Sequence, residues 1–428
     1  MNKLIWFVAT LLIIISGIYF SIKLKFIQFR FIRMIKSLRT KNIEKNTISP
    51  FASLMMVLAG RIGVGSIAGV AISIYYGGVG SIFWMWLISI LATSLTFVET
   101  LLGMKYQKKD SKYICKGGPS YYIRYGLNNK ILGTIYALLI IISDIFGFIS
   151  IQANTIIHSL DEIVNINEFI IGVIIASLIL LIIIGGAKRI ANFSEKIVPI
   201  ITIFYLLVCI FILIININKI PSIIKLIFIS AINNKSIKGG ILGSMIIGAQ
   251  RGIFSSEAGI GTGAIASSTT LTKTKEEQIR NSYIQMLGIY ITTFLICTST
   301  AFIILTSDIN LLSFNNLNGI ELVQLSFLNH IGTIGKFFVF IIIFAFSFTT
   351  ILSSYYNGES SLKYFIEKPK LLLMFLKLLT FISIIMGSIS KSNFIWNLID
   401  IFVGLLAIIN IYAIIKLKDE VFELLKIK

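Results

Sequence analysis

Eleven apolar runs, each long enough to cross a lipid bilayer, follow one another along this 428-residue chain. A membrane-spanning helix needs ~20 mostly apolar residues, and its backbone must be hydrogen-bonded internally because the hydrocarbon core holds no water. The runs begin near Leu4, Phe51, Ser81, Ile131, Phe169, Ser194, Gly239, Ser282, Ile334, Leu371 and Phe394. Only 13% of the residues are charged, against about 25% in soluble domains. We therefore predict an all-α polytopic membrane protein with about eleven transmembrane helices.

The first run leads directly into a basic segment. Residues 4–20, LIWFVATLLIIISGIYF, are followed by KLKFIQFRFIRMIKSLRTK, and no A-x-A pattern marks a cleavage site. We therefore interpret this run as a true membrane span and not as a secretory signal peptide. Residues 1–48 then form an extra N-terminal helix with a basic cytoplasmic segment.

Basic residues predict the orientation of the chain. Of the 38 lysines and arginines, 29 fall in short loops on one side under an N-outside arrangement, seven on the other side and two within spans. This bias predicts a cell-membrane protein with its N-terminus outside and its C-terminus in the cytoplasm. The loop with Lys219, Lys225, Lys235 and Lys238 runs against the bias. A net charge of +19 could indicate nucleic-acid binding. Because most of the basic residues lie in short loops next to the membrane, where they set its orientation, we predict no nucleic-acid partner.

Two spans contain clusters of glycine at bilayer depth. Residues 58–70 read LAGRIGVGSIAGV, and residues 250–266 read QRGIFSSEAGIGTGAIA. Glycine costs about 1 kcal/mol in a helix interior, and an unwound backbone persists in a membrane only where protein buries it or where it lines a cavity. A helix-packing face made of small residues is the alternative explanation. The position of the second cluster favours two broken helices.

Without the first span, ten spans remain, and the first of each five is interrupted. Because five is odd, the two halves cross the membrane in opposite directions, which is typical of the inverted repeats of secondary transporters. We predict a first repeat over residues 49–217, a second over residues 218–415 and a cytoplasmic tail over residues 416–428. The broken helices are expected to form a binding site near the membrane midplane.

Broken helices present both signs of charge to a ligand. Amide N–H groups at the N-terminus of a half-helix suit a carboxylate, and freed carbonyl oxygens suit a hard cation such as Na⁺. Gly63 and Gly65 are expected to expose the amides around Val64 and Ser66. A zwitterion together with a cation satisfies both kinds of group.

Charged residues inside membrane spans are rare and usually functional. Arg61, Arg251 and Glu257 lie at the breaks, where they either gate the site or pair with one another to stabilise the broken helices. Glu359 and Asp400 lie nearer the ends of their spans and are expected at the membrane interface.

Three uncharged polar residues are further candidates. Thr349 and Thr350 lie together in mid-span, and their hydroxyls can coordinate Na⁺, although such hydroxyls commonly bond the carbonyl four residues earlier. Gln152 lies well inside the fourth span. It is either an interhelical hydrogen-bonding residue or a ligand of the transported molecule.

These segments resemble the alanine or glycine:cation symporter family of the amino acid–polyamine–cation superfamily, in family order over nearly the whole chain. The matching segments are IGVGSIAGV, GGVGSIFWMW, GGPSYYI, QRGIFSSEAGIGTGAIA and FSFTTILSSYYNGE. The resemblance implies a five-plus-five inverted repeat of the leucine-transporter type, with one extra N-terminal helix and two discontinuous helices. It also implies sodium- or proton-driven uptake of a small neutral amino acid, alanine or glycine, by a monomeric unit with no organic cofactor.

Carried over by position, the resemblance implies two adjoining sites. The implied substrate site consists of Gly63, Val64, Gly65, Ser66, Gln152, Gly252, Ile253, Phe254 and Ser255. The implied sodium site consists of the main-chain oxygens of Ala59, Ile62 and Phe346 and the hydroxyls of Thr349 and Thr350. The chain departs from the family at three positions. The family usually has Asn where this chain has Ser66 and often has Thr where it has Val64, and some members carry a bulky aromatic residue near the position of Ser354. A larger neutral amino acid therefore stays an alternative substrate.

Other classes of function are less well supported. An enzyme is disfavoured because the chain has two histidines, at the predicted outer ends of spans, and no H-E-x-x-H or G-x-S-x-G motif. The three cysteines are far apart, which indicates neither a disulfide framework nor a metal site. Coupling to a proton carried by Glu257 or Asp144, and a non-transporting amino acid sensor on the same scaffold, remain alternatives.

Overall fold

A computed structural model describes residues 2–39, 47–109, 115–165, 167–232, 240–309, 319–366 and 370–427. Within these ranges the chain is a bundle of α-helices, together with one two-stranded antiparallel hairpin of β1 (Lys108–Lys109) and β2 (Cys115–Lys116). The first ten helices are α1 (Asn2–Lys23), α2 (Phe31–Ser37), α3 (Pro50–Arg61), α4 (Val64–Gly77), α5 (Ser81–Lys105), α6 (Pro119–Tyr125), α7 (Lys130–Ile142), α8 (Ile149–Asp161), α9 (Glu168–Ile183) and α10 (Gly186–Ile215). The next ten are α11 (Ile220–Ile232), α12 (Gly240–Ser256), α13 (Thr262–Ser267), α14 (Lys275–Ile289), α15 (Thr298–Thr306), α16 (Gly319–Ile331), α17 (Thr333–Phe365), α18 (Lys370–Ile389), α19 (Ser392–Lys416) and α20 (Lys418–Leu425).

Nine helical segments in the described ranges are long and apolar enough to cross a membrane. They are Asn2–Lys23, Pro50–Gly77, Ser81–Lys105, Lys130–Asp161, Gly186–Ile215, Lys275–Thr306, Thr333–Phe365, Lys370–Ile389 and Ser392–Lys416. Large apolar side chains cover their outer faces, as at Ile200, Leu207 and Leu371, which suits contact with lipid. The multi-pass helical architecture predicted from the sequence is therefore confirmed.

The two other predicted spans lie on shorter helices. The run near Phe169 is α9, with 16 residues, and the run near Gly239 is divided between α12, with 17 residues, and α13, with six. The sixth span begins earlier than predicted, at Gly186 and not near Ser194. The count of eleven transmembrane helices stays a prediction.

Both predicted interruptions are present. The first separates α3 from α4 at Ile62 and Gly63, and the second separates α12 from α13 over residues 257–261. In the second, Glu257, Gly259 and Gly261 have φ angles of 50°, 79° and 96°. Glycine adopts these left-handed angles readily, whereas a glutamate there is uncommon.

The two halves of the bundle share an order of elements. Each contains a broken helix, which in the second half follows α11, then a long helical segment, and one short helix, α6 or α16, before the next long apolar helix. This order agrees with the predicted internal repeat, but the inverted two-fold relation and the boundaries at residues 49, 218 and 416 stay predictions.

The extra N-terminal helix is packed into the bundle. The indole N–H of Trp6 donates to the main-chain carbonyl of Asp400 at 2.9 Å. The Ser94 hydroxyl donates to the Gly17 carbonyl at 3.2 Å. A Cβ on Gly17 would lie 2.8 Å from the Cβ of Leu91, so this glycine lets α1 approach α5 closely. Helix α1 is therefore an integral part of the fold.

Candidate functional site

Carbonyl oxygens of the first break and of α17 gather around one hydroxyl. The Oγ1 atom of Thr350 lies 2.8 Å from the Ala59 carbonyl oxygen, 3.3 Å from that of Ile62 and 2.9 Å from that of Phe346. All four residues are buried, with exposed fractions of 0–1%. The cluster contains only hard oxygen donors, which are the atoms that Na⁺ prefers at broken membrane helices.

The neighbouring threonine behaves differently. The Thr349 hydroxyl donates to the Phe346 carbonyl at 2.9 Å, within its own helix. The Thr350 hydroxyl also reaches that carbonyl, four residues back, but in addition bridges to the first break. The local hydrogen bonds expected for membrane threonines are therefore present at both positions, and of these two threonines Thr350 is the one whose hydroxyl also reaches α3. The structure brings all five predicted sodium-site residues together, and their role as ligands stays a prediction.

Gln152 of α8 lies against the first break. Its Oε1 atom accepts a hydrogen bond from the Val64 N–H at 3.1 Å. A Cβ on Gly63 would lie 2.8 Å from the same Oε1 atom and would clash with the Thr350 hydroxyl. Gly63 is therefore the close-approach point at which the two predicted sites adjoin.

The two breaks contact each other through Gly65 and Phe254. A Cβ on Gly65 would lie 2.6 Å from the Phe254 ring, so the first turn of α4 packs directly on this aromatic side chain. Phe254 stacks on Phe148 with ring centroids 5.0 Å apart, and its centroid lies 5.1 Å from that of Trp396. An apolar aromatic wall therefore closes one side of the predicted substrate site.

The remaining predicted substrate residues are buried nearby. The Ser66 hydroxyl donates to the Gly63 carbonyl at 3.1 Å, and the Ser66 carbonyl accepts from Thr300 at 3.2 Å. In α12, the Ser255 hydroxyl donates to the Gly252 carbonyl at 3.1 Å. Ile253 is fully buried in the same helical turn.

The unwound part of the second helix lies later than the sequence indicated. Gly252, Ile253, Phe254 and Ser255 are helical, because α12 continues to Ser256 and the Ile253 carbonyl accepts from the Glu257 N–H at 2.8 Å. The chain leaves the helix at Glu257, where φ becomes positive. These four residues therefore present the C-terminal end of a helix to the site.

Arg61 links the first break to the second half of the chain. Its Nη1 atom donates to the Gln285 carbonyl at 3.0 Å, and a Cβ on Gly288 or Gly263 would lie 2.6 or 2.9 Å from its guanidinium. Its charge attracts Glu257, although no salt bridge within 4 Å joins these two described residues. Arg61 is thus held in a slot that only glycines leave open.

Glu257 lies between the two breaks. Its Oε2 atom accepts from the Thr262 hydroxyl at 2.8 Å, and a Cβ on Gly60 would lie 3.2 Å from its Oε1 atom. The carboxylate therefore contacts α13 and the end of α3 together. Among the described residues, the structure does not show the alternative in which Arg61, Arg251 and Glu257 pair directly with one another, and the gating or supporting role stays a prediction.

Arg251 pairs with a different carboxylate. Its Nη2 atom lies 2.6 Å from the Asp400 Oδ2 atom, and its guanidinium lies 4.4 Å from the centre of the Trp396 ring. Asp400 and Glu359 are both buried within the protein, at 3% and 5% exposure, and their expected position at the membrane interface stays a prediction. Asp400 lies more than two turns inside α19, where packing against α12 supplies its partner.

A polar network that sequence reasoning missed holds the second break. The Asn410 amide donates to the Gly259 carbonyl at 2.9 Å and to the Glu99 carboxylate at 2.8 Å, and it accepts from the Tyr122 hydroxyl. Tyr136 donates to the Ile260 carbonyl at 2.5 Å. Glu99 is a charged residue within the predicted third span, a signal that could have indicated the network, whereas nothing in the sequence separates Asn410 or Tyr136 from other polar residues of apolar helices.

The fold resembles that of a solved membrane transporter, and the sequence matches a family of transporters. A solved Na⁺-coupled sialic acid symporter, in a substrate-bound outward-open state, has a similar fold, with a TM-score of 0.52 and 14% identity over 95% of this chain and 81% of that chain. The sequence profile of the sodium:alanine symporter family matches residues 1–427. The chain belongs to this family, which confirms the resemblance drawn from its motifs.

Two relatives from Bacillus subtilis (strain 168) cover nearly the whole chain. The probable sodium/glutamine symporter GlnT is 37% identical over 99% of this chain and 88% of its own length. The amino-acid carrier protein AlsT is 35% identical over 99% of this chain and 90% of its own length. The family is one of symporters, so the chain belongs to a class of membrane transporters.

Proposed function

We propose that this protein uses the inward movement of Na⁺ to drive uptake of a neutral amino acid across the cell membrane. The observation that carries the proposal is the convergence of the Ala59, Ile62 and Phe346 carbonyls on the Thr350 hydroxyl. Because this cluster joins α3 to α17, an ion bound there would hold the first break in one arrangement. Each Na⁺ that enters supplies ~2.3 kcal/mol per 100 mV of membrane potential, in addition to its concentration gradient.

The ends of the broken helices provide for the two charges of an amino acid. The N-terminus of α4, at Val64 and Gly65, presents amide N–H groups and a partial positive charge, which suits the carboxylate. The C-termini of α3 and α12 present carbonyl groups and partial negative charge, which suits the ammonium group. Gln152, which already bonds the Val64 N–H, is placed to orient the carboxylate end.

Two closures on opposite sides of the site fit alternating access. One consists of Arg251, Asp400, Trp396 and Phe254 and lies before the break of α12. The other consists of Arg61, Glu257 and Thr262 and lies beyond that break. Because α12 and α13 together form a predicted membrane span, opening either closure alone would expose the site to one side of the membrane.

Glutamine is a second candidate substrate beside alanine and glycine. The family usually has Asn at the position of Ser66, and some members carry a bulky aromatic residue near Ser354. Ser354 of α17 lies beside the carboxyl group of Asp144, which belongs to the π-helical turn Ser143–Phe148. The resemblance to the relative named as a probable sodium/glutamine symporter supports the same candidate.

The test is uptake of radiolabelled alanine, glycine, serine and glutamine into proteoliposomes with and without an inward Na⁺ gradient. Accumulation of any of them that requires the Na⁺ gradient supports sodium symport and names the substrate. Accumulation that follows an imposed pH gradient in Na⁺-free buffer would support the proton alternative. Saturable binding without accumulation under either gradient would instead support a sensor.

A further inference from the structure

We propose that a basic cavity between α2 and α14 binds the phosphate-bearing headgroup of an anionic membrane lipid. The cavity has a volume of about 550 Å³ and is lined by side chains from two elements. These are Arg33, Lys36, Ser37 and Arg39 from α2 and its end, and Glu276, Ile279, Arg280 and Tyr283 from α14. The proposal concerns a site separate from the two breaks and does not depend on what the protein transports.

The cavity has an excess of positive charge. Among the described residues, four cationic side chains and one carboxylate line it, an excess of three positive charges. No salt bridge within 4 Å joins Glu276 to any of the four cations among the described residues, and all four are exposed. Arginine guanidinium groups match the oxygens of a phosphate in a two-pronged geometry, and basic pockets beside membrane helices bind phosphorylated headgroups.

An adjoining apolar surface favours a lipid over free phosphate. Helix α2 has seven residues. Three of them are apolar and exposed to solvent or lipid: Phe31 at 42%, Ile32 at 71% and Ile35 at 56%. An amphipathic helix that follows a membrane span lies in the interface, with its apolar side among the acyl chains and its basic side at the headgroups. The same short helix can therefore contact both parts of one lipid.

Contacts at the start of α2 and along and just after α14 hold the two sides of the cavity together. The Tyr290 hydroxyl donates to the Gln28 carbonyl at 2.5 Å, Arg30 donates to the Tyr283 hydroxyl at 3.3 Å, and the rings of Phe31 and Tyr290 lie 4.8 Å apart. Helix α14 also supplies the Gln285 carbonyl that holds Arg61. A bound lipid would thus fasten the segment after α1 to the helix that supports the first break.

The test compares lipid retention by native mass spectrometry of the full-length protein in detergent. The probes are phosphatidylglycerol and phosphatidylcholine of equal acyl composition. The cavity variant is Arg33→Gln with Lys36→Gln and Arg280→Gln. The matched control, Lys130→Gln with Lys196→Gln and Lys370→Gln, removes three exposed charges outside the cavity.

We expect the native protein to retain phosphatidylglycerol in preference to phosphatidylcholine. The cavity variant should retain at least fivefold less phosphatidylglycerol, and the control should stay within twofold of the native protein. Monodisperse elution of both variants verifies that they are folded. Equal losses in the two variants, or no preference between the lipids, would overturn the proposal.

A second arm separates a lipid from free phosphate. Millimolar inorganic phosphate should leave the retained lipid in place, and Ile32→Ser with Ile35→Ser should lower its retention at least threefold. Displacement by inorganic phosphate, with the isoleucine variant unchanged, would show a simple anion site and overturn the lipid assignment. No transport is measured, so failure here and failure of the proposed symport are distinguishable.

Discussion

The side-chain amide oxygen of Gln152 accepts a hydrogen bond from the main-chain N–H of Val64 at 3.1 Å. A residue in the middle of α8 is thereby joined to the first residue of α4, at the point where the chain restarts its helix after the break. This amide belongs to the partially positive end of α4, so the contact connects helix packing with the proposed carboxylate site.

Replacement of Gln152 by leucine should weaken substrate binding. The change removes the side-chain amide beside Gly63, whose N–H₂ group can donate to the substrate carboxylate; a hydrogen bond to a charged group contributes ~1.5–3 kcal/mol, so we expect the KM of Na⁺-driven uptake to rise by about tenfold or more. The matched control is Thr155→Val in the same helix, since the Thr155 hydroxyl bonds the Ile151 carbonyl of its own helix. A KM unchanged by Gln152→Leu would count against the substrate-site assignment.

Replacement of Thr350 by valine should weaken sodium coupling. The variant keeps the shape of the side chain but removes the hydroxyl that reaches the Ala59 and Ile62 carbonyls. We expect the Na⁺ concentration for half-maximal uptake to rise about tenfold, and to rise less in Thr349→Val, because the Thr349 hydroxyl bonds only within α17.

Thr380→Val is the control for general loss of a buried hydroxyl. Thr380 is fully buried, and its hydroxyl bonds the Leu376 carbonyl of its own helix. Uptake measured against Na⁺ concentration in proteoliposomes should be unchanged in this variant. If all three valine variants shift the Na⁺ dependence equally, the cluster around Thr350 is not an ion site.

Alanine at Gly65 should block transport, and alanine at Gly69 should not. A Cβ at Gly65 would lie 2.6 Å from the Phe254 ring, whereas a Cβ at Gly69 has its nearest neighbour at 3.7 Å, an ordinary contact. Overpacking costs ~1–3 kcal/mol, while alanine in an open helical position gains about 1 kcal/mol. Uptake and membrane yield of the two variants measure the difference, and normal uptake by Gly65→Ala would contradict close contact between the breaks.

Removing one partner of the Arg251–Asp400 pair should destabilise the protein. Arg251→Met leaves a buried, uncompensated carboxylate, which costs ~3–5 kcal/mol, and adding Asp400→Leu should recover most of the thermal stability. Lys105→Met breaks the partly exposed Lys105–Glu420 pair and should cost less than ~1 kcal/mol. Unfolding is followed by intrinsic fluorescence on heating in detergent.

The same variants distinguish gating from support. If the pair only supports the fold, uptake should recover with stability in the double variant. If it closes one side of the site, uptake should stay at least tenfold low although the melting temperature has recovered. A single variant as stable as the native protein would show that the pair is not formed in the membrane.

Much of the architecture follows from local sequence patterns. Apolar runs of ~20 residues form helices in a bilayer, because their backbone must be hydrogen-bonded internally. The glycines of residues 58–70 and 250–266 mark the two breaks, because glycine lowers the stability of a helix and readily adopts non-helical backbone angles. The family motifs also placed Thr350 and Gln152 among the site candidates. The helices and the breaks are inferred from composition and spacing, and the two site candidates from the resemblance to the family.

Tertiary packing decided which of these residues meet. Thr350 is 291 positions from Ala59, and Asp400 is 149 from Arg251, so no local spacing predicts either contact. The sequence placed Asp400 by its distance from a span end, whereas its partner depends on how α12 crosses α19. The unwound residues 257–261 likewise depend on Asn410 and Tyr136, which bond carbonyls that α12 can no longer satisfy. A chain in lipid must bond every freed backbone group, and only the assembled bundle supplies these partners.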